Sequence, residues 1–306
     1  MDHTRVLLIF LDGVGIGSAD PDVNPFVRAR QRIPTLEKLM GGSIPSLDSP
    51  RGSGPHGSVF PLDARLDVEG TPQSGTGQAA LLTGESTAEI HGHHFGPWTP
   101  VRLRPLVEDR SMLRRAAEAG RGVAFANAYP RGWPGPRGGR RIAAPPLAAR
   151  GAGVLNRHEE ALGAGMAVSS EIVNDGWREH LGHDGLPVVT PAEAGVNLAR
   201  ICADVDLTLY AHYSTDTAGH RGVLTDAVEA LVRVDDFLAG LTSALASDTL
   251  LLIASDHGNI EDVRGGHTAN PALGIAAGPH ADRAREMTDL RDVTPFILDV
   301  LGVSHQ

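Results

Sequence analysis

Four short, largely apolar runs, residues 6–11, 123–128, 207–213 and 249–254, set the strongest limit on what this chain can become. Each is too short for the core of a helix and has the make-up of a strand buried on both faces. Helical patterns stand between or beside them at 112–119, 192–202 and 223–245, and a last one at 289–301 stops at Gly302. Thr190-Pro191-Ala192-Glu193 reads as a helix start, with a cap, a first-turn proline and an acid at the third position. Strands alternating with helices predict an α/β fold, a mostly parallel central sheet flanked by helices.

Residues 131–190 break that rhythm and open on a Gly-, Pro- and Arg-rich stretch, 132–139. They read as a small inserted cap or lid on a discontinuous core made of residues 1–130 and 191–306. The first apolar run stops at Asp12 after six residues, too short for a signal-peptide core or a membrane span, so a cytoplasmic protein without membrane contact is expected. Cys202 is the only cysteine, which excludes an internal disulfide and a thiolate-rich zinc site. Any metal must then use oxygen and nitrogen ligands. The net charge of −10 argues against nucleic-acid binding. Residues 102–150 nevertheless carry eleven arginines against Glu108, Asp109 and Glu118. Two readings stand: a local anion site, or arginine as the default cation of a chain whose only lysine is Lys38.

The chemistry-bearing residues gather where the runs end. Asp12 follows the first, Asp216 follows the third, and Asp256-His257 follows the fourth; ligands in open α/β sheets collect at such carboxyl ends. Asp216 and His220 are four apart, so one helical turn sets both on one face toward a single ion. His267 adds an imidazole. Each of these alone reads as a turn or a hydrogen-bonded loop, but together they form a ligand set. Carboxylates with imidazoles suit zinc or manganese better than calcium, with magnesium left open. In residues 73–84 the apolar spacing implies a helix beginning near Ser74, whose dipole would face an incoming phosphate. Ser74 is then either a nucleophile or a helix cap, and Thr76 is the other hydroxyl in reach. His91, His93 and His94 stand close enough to suggest a third metal site, but such tracts often bind metal only adventitiously, and a loop at the substrate edge or plain surface is the preferred reading. Thr76, His94, Arg102 and Arg104 are the candidate substrate contacts.

The stretches 11–17, 74–84, 216–223, 256–259 and 266–271 resemble, in this order, the alkaline phosphatase superfamily, most closely its branch containing cofactor-independent phosphoglycerate mutase and phosphopentomutase. The resemblance implies an alkaline-phosphatase-like core and makes Ser74, three residues before Gly77, the nucleophile. It also implies two divalent ions, manganese or zinc, one held by Asp216, His220 and His267 and the other by Asp12, Asp256 and His257 with the Ser74 oxygen at or near it. A phosphoserine passed to water would make a phosphatase of a small phosphorylated metabolite. Passed to a substrate hydroxyl, it would make a phosphomutase, although residues 131–190 are shorter than the inserted caps of the two mutases. A phosphodiesterase or sulfatase would use the same core, but the Cys-x-Pro-x-Arg motif of the sulfatases is absent. A noncatalytic metal- or anion-binding module would be marked by a lost ligand, and all six metal positions and Ser74 are present.

Overall fold

In the computed structural model, which describes residues 4–135, 139 and 141–304, the four predicted strands lie side by side. Among the described residues one seven-stranded sheet forms from β1 (Arg5–Leu11), β2 (Gly52–Gly54), β3 (Gly57–Leu62), β4 (Val123–Phe125), β5 (Leu207–His212), β6 (Thr249–Ala254) and β7 (Ala272–Ala277), in the order β2-β3-β7-β6-β1-β5-β4. β4, β5, β1 and β6 run parallel, Leu8 lying between Leu209 and Leu252. Their carboxyl ends therefore open on one edge of the sheet.

The other three strands extend the sheet antiparallel, and none stands out in the sequence. β3 contains Pro61, which cannot donate to a ladder; it sits past the end of the β2 pairing, which covers only Gly57 to Val59. Four of the six residues of β7 are alanine or glycine, poor strand formers. Its Gly274 lies opposite Phe60, whose ring occupies the place a side chain there would need, 2.3 Å from where a Cβ would stand.

Burial on both faces explains the unbroken apolar runs. Leu7, Ile9 and Leu11 pack with Tyr210 and Ile253 beneath the helices Pro191–Cys202 and Leu224–Ala244, through Leu198, Val234 and Phe237. Val6, Leu8 and Phe10 pack with Leu209 and Leu252 beneath the helices Ser74–Thr83, Met112–Glu118, Ala144–Gly151 and Val293–Val300. The Thr190 side chain and Glu193 form a reciprocal capping box, as their spacing predicts.

Within 131–190, the helix Ala144–Gly151 belongs to the main core, with Leu147 and Ala148 fully buried. The short helices Glu159–Gly163 and Asp175–Glu179 carry a separate cluster of Ala128, Leu162, Ala167 and Trp177. Arg137 and Arg140 lie outside the described residues. Of the other arginines in the basic zone, Arg114, Arg131 and Arg150 pair with Glu118, Glu160 and Glu108. Exposed pairs of this kind contribute little stability. No helix among the described residues is long and apolar enough to cross a membrane.

Candidate metal centre

The parallel strands deliver their acids to one place. Asp12 follows β1 directly, Asp256 and His257 come two and three residues after β6, and Asp216 sits in the helix Ser214–Arg221 that follows β5. On that helix Asp216 and His220 face together, with Nε2 of His220 3.3 Å from Oδ2 of Asp216. His267 completes the group: its Nε2 lies 3.4 Å from Oδ1 of Asp216 and 3.0 Å from Nε2 of His220. Nδ1 of His267 lies 3.1 Å from the Pro72 carbonyl. A proton donated there leaves the Nε2 lone pair aimed at the cluster, the usual arrangement of a ligating histidine.

The second group is more deeply buried. Nε2 of His257 lies 3.5 Å from Oδ1 of Asp12, 3.6 Å from Oδ2 of Asp256 and 2.9 Å from Oγ of Ser74. Those same two carboxylate oxygens are buried without a hydrogen-bond partner. An unsatisfied buried carboxylate oxygen is costly, so two of them converging on one imidazole mark a place for a cation. The spacing agrees: metal–ligand bonds of roughly 2.0–2.2 Å set neighbouring ligand atoms about 3.0–3.5 Å apart. By ligand-atom distance Asp12, Asp256 and His257 form one compact set and Asp216, His257 and His267 another, so His257 stands between the two groups. Its ring stacks on that of His267 with centroids 3.9 Å apart.

Without a cation these charges strain one another. Burial, reinforced by the charge of Asp256, pushes the Asp12 carboxyl well above the usual range, and burial also raises Asp256. Burial alone would lower His257, but the carboxylates of Asp256 and Asp12 overcome it and hold the imidazole up at about 10. Asp216 is pushed up by burial too, yet His267, His257 and Asn259 more than offset that and keep it below the usual carboxylate range. The donor set, the spacing and the orphaned oxygens all fit bound divalent cations.

Ser74 is the first residue of a helix that is buried along its whole length. The N-cap is Gln73, and no side chain caps the helix, so the Ser74 hydroxyl points to His257 rather than serving the backbone. Two glycines allow this placement. A Cβ at Gly75 would stand 2.2 Å from the Trp98 carbonyl, and one at Gly77 would stand 2.7 Å from the Asp256 carbonyl. Thr76 and Gly77 already donate their amides to Phe95 and Gln73, which leaves the amides of Ser74 and Gly75 at the helix start.

Several residues around the ligands carry no role in the sequence reading. Gln78, one turn after Ser74, donates to Oδ2 of Asp12 at 3.1 Å, and Asn259 donates to Oδ1 of Asp216 at 2.6 Å. Both lie inside the motif stretches, and their spacing from Ser74 and His257 was the available signal. Glu261 lies just beyond them with no such signal, although it is fully buried and accepts bonds from Gly15, Asn259, Thr268 and Asn270.

A cleft of about 400 Å³ opens on Asp12, Ser74, Gln78 and Asp216, and Trp98, Tyr129, Trp133, Arg141 and Tyr213 also line it. The residues singled out as substrate contacts are not among its lining. The Thr76 hydroxyl donates to the Gln73 carbonyl and accepts from the Phe95 amide, Nε2 of His94 lies 3.2 Å from the Val68 carbonyl, Arg104 reaches the carbonyls of Thr99 and Gly139, and Arg102 is exposed. A larger hollow of about 1000 Å³ is lined by Thr4, Asp206 and Asp248, which precede β1, β5 and β6. It therefore lies at the far end of the parallel strands, away from the ligands.

A doubly covered sheet whose parallel strands deliver two carboxylate–imidazole groups and a helix-borne serine to one edge has an alkaline-phosphatase-like architecture. Residues 198–305 match the family model of the Metalloenzyme superfamily. It is similar to a 2,3-bisphosphoglycerate-independent phosphoglycerate mutase 2 of Methanosarcina acetivorans, 36% identical over 97 residues, which are 29% of this chain and 19% of that protein. The chain thus matches about a fifth of the length of its curated relatives. Across nearly the whole chain the fold is similar to that of the Thermus thermophilus alkaline phosphatase, with a TM-score of 0.57 at 13% identity, covering 99% of this chain and 92% of that one. It is also similar to the PH0037 protein of Pyrococcus horikoshii, with a TM-score of 0.62 at 13% identity, covering 100% and 99%.

Proposed function

We propose that this protein is a phosphoryl-transfer enzyme that uses two divalent metal ions, manganese or zinc, and passes phosphate through Ser74, acting as a phosphatase of a small phosphorylated metabolite. The observation that carries the reading is the Ser74 hydroxyl, 2.9 Å from His257 at the start of a buried helix, beside two unpartnered carboxylate oxygens and on the wall of a cleft. Asp216, His220 and His267 would hold one ion, and Asp12, Asp256 and His257 the other. Bound there, the ions would supply the positive charge that lowers the serine pKa and neutralises the transferring phosphoryl oxygens. Gln78 fixes the orientation of Asp12, and Asn259 that of Asp216. Ser74 attacks phosphorus and the ester oxygen leaves; the phosphoserine then passes its phosphoryl group to water, which regenerates the hydroxyl. The described parts of residues 131–190, which bring Trp133, Arg141 and Pro146 to the cleft, would act as its cap.

The name of the relatives favours a second reading, a phosphomutase, in which a substrate hydroxyl replaces water as the acceptor. Inorganic phosphate release by the manganese- or zinc-loaded protein, measured over phosphorylated sugars, glycerates, nucleotides and an aryl phosphate, tests both. Release from some members that is lost in Ser74→Ala supports the phosphatase. Phosphate moved between positions without release supports the mutase, and neither result on any substrate would refute phosphoryl transfer.

A further inference from the structure

Resting on that reading of Ser74, we infer that the ester accepted by this cleft carries a flat ring, aromatic or heteroaromatic, which stacks on Trp133 and Trp98. The chain has three tryptophans; two of them line this cleft, while the third, Trp177, is 5% exposed and belongs to a separate apolar cluster. Trp98 is 40% exposed, so part of its ring is open to a ligand in the cleft. Trp133 is held in place from the core outward. Phe125, fully buried, stacks on Tyr129 with centroids 6.0 Å apart and planes 26° apart, and Tyr129 packs on Trp133 at 4.4 Å. Such a chain of rings presents a firm aromatic wall that loses little conformational freedom when a ligand settles on it.

The charge on the lining points the same way. Among the described residues Arg141 is the one cationic side chain lining the cleft, and it makes no ion pair or hydrogen bond with another of them. A short acyclic ester would leave the aromatic wall wet. An ester whose phosphate meets Ser74 and Arg141, and whose remaining bulk is a ring, uses both kinds of surface. The volume of about 400 Å³ falls within the roughly 300–1,000 Å³ usual for small-molecule sites.

Two phosphonates that cannot be hydrolysed at the serine, phenylphosphonate and methylphosphonate, test this by calorimetric titration of the manganese-loaded protein. Phenylphosphonate should bind about tenfold or more tightly, the range that stacking on an aromatic side chain supplies. In Trp133→Ala the ratio of the two affinities should fall about tenfold, and Trp133→Phe, which keeps a ring there, should restore most of it. Equal affinities in the unaltered protein, or a ratio that Trp133→Ala leaves unchanged, would overturn the inference. The phosphoryl-transfer reading fails separately: ring discrimination with neither phosphate release from any ester nor its movement between positions would refute that reading alone, and release from ring-bearing and ring-free esters alike would refute this inference alone.

Discussion

Glu261 accepts the hydroxyl of Thr268 on one carboxylate oxygen at 2.5 Å, while its other oxygen takes the amides of Gly15 at 2.9 Å and Asn259 at 2.7 Å. The loops after β1 and β6 and the loop that carries His267 are thereby tied to one buried carboxylate. All of its partners are donors, so an amide in its place would turn an N–H against an N–H or O–H. Glu261→Gln should destabilise the metal-free protein by about 2–4 kcal/mol in urea unfolding. It should also weaken metal binding about 10- to 100-fold, since the shell that orients the ligands is loosened. Unfolding midpoint and metal affinity both equal to those of the unaltered protein would show that the hub is ornamental.

Asp216→Asn removes the carboxylate that His220 and His267 approach at 3.3 and 3.4 Å, and leaves Asp12, Asp256 and His257 in place. If the site holds two ions as proposed, metal content after dialysis should fall by about one ion per chain, with Ser74-dependent turnover down by at least about a thousandfold, because charge on the transferring phosphoryl group is no longer balanced. Full occupancy in the variant would sink the assignment of Asp216.

His257 supplies a proton-linked prediction. Held up at about 10 by Asp256 and Asp12 against the opposing effect of burial, its imidazole carries a proton in the metal-free protein at pH 8. A ligating nitrogen must give that proton up. Titration of the metal-free protein with manganese at pH 8, in two buffers of different ionisation enthalpy, should report release of about one proton per bound ion at this site. The apparent affinity should rise with pH up to about 10. Heats that do not depend on the buffer would contradict the prediction.

The parallel half of the fold was legible in the sequence because both its faces are buried: residues 6–11 and 249–254 can stay apolar throughout only under helices on each side, and they became β1 and β6. The antiparallel half was hidden by composition. Gly274 has no side chain to show a period, and Pro61 reads as a breaker until its place beyond the β2 ladder is seen. At the site, Asp12, Asp216, Asp256 and His257 were legible because strand ends fix where they point. Trp133, Arg141 and Glu261 were not, since their roles depend on which distant loops meet them, and neither period nor spacing encodes that. The three-residue step from Gly77 to Ser74 was a pattern match, and the 2.9 Å approach to His257 gives it a physical content.

His212 ends β5, fully buried, with Nδ1 2.7 Å from the Ser170 carbonyl. Burial lowers its pKa to about 4 against the pull of that hydrogen bond, and Arg233 adds to the lowering. The unfolded chain would titrate near 6.5. Between those two values the unfolded state holds a proton that the folded state excludes, so stability rises with pH across the window. It is fully present above about 6.5, declines as pH falls toward 4 and levels off below that, a contribution on the order of 3 kcal/mol. Asn at this position retains a donor that can reach the Ser170 carbonyl and has no proton to gain. Urea unfolding of metal-free protein at pH 7 and at pH 4.5 should therefore show a smaller loss of stability in His212→Asn than in the unaltered chain, the remaining loss coming from the other carboxylates and histidines common to both. Equal losses in the two proteins would mean that His212 is protonated in the fold and that its burial is compensated by a partner other than Ser170.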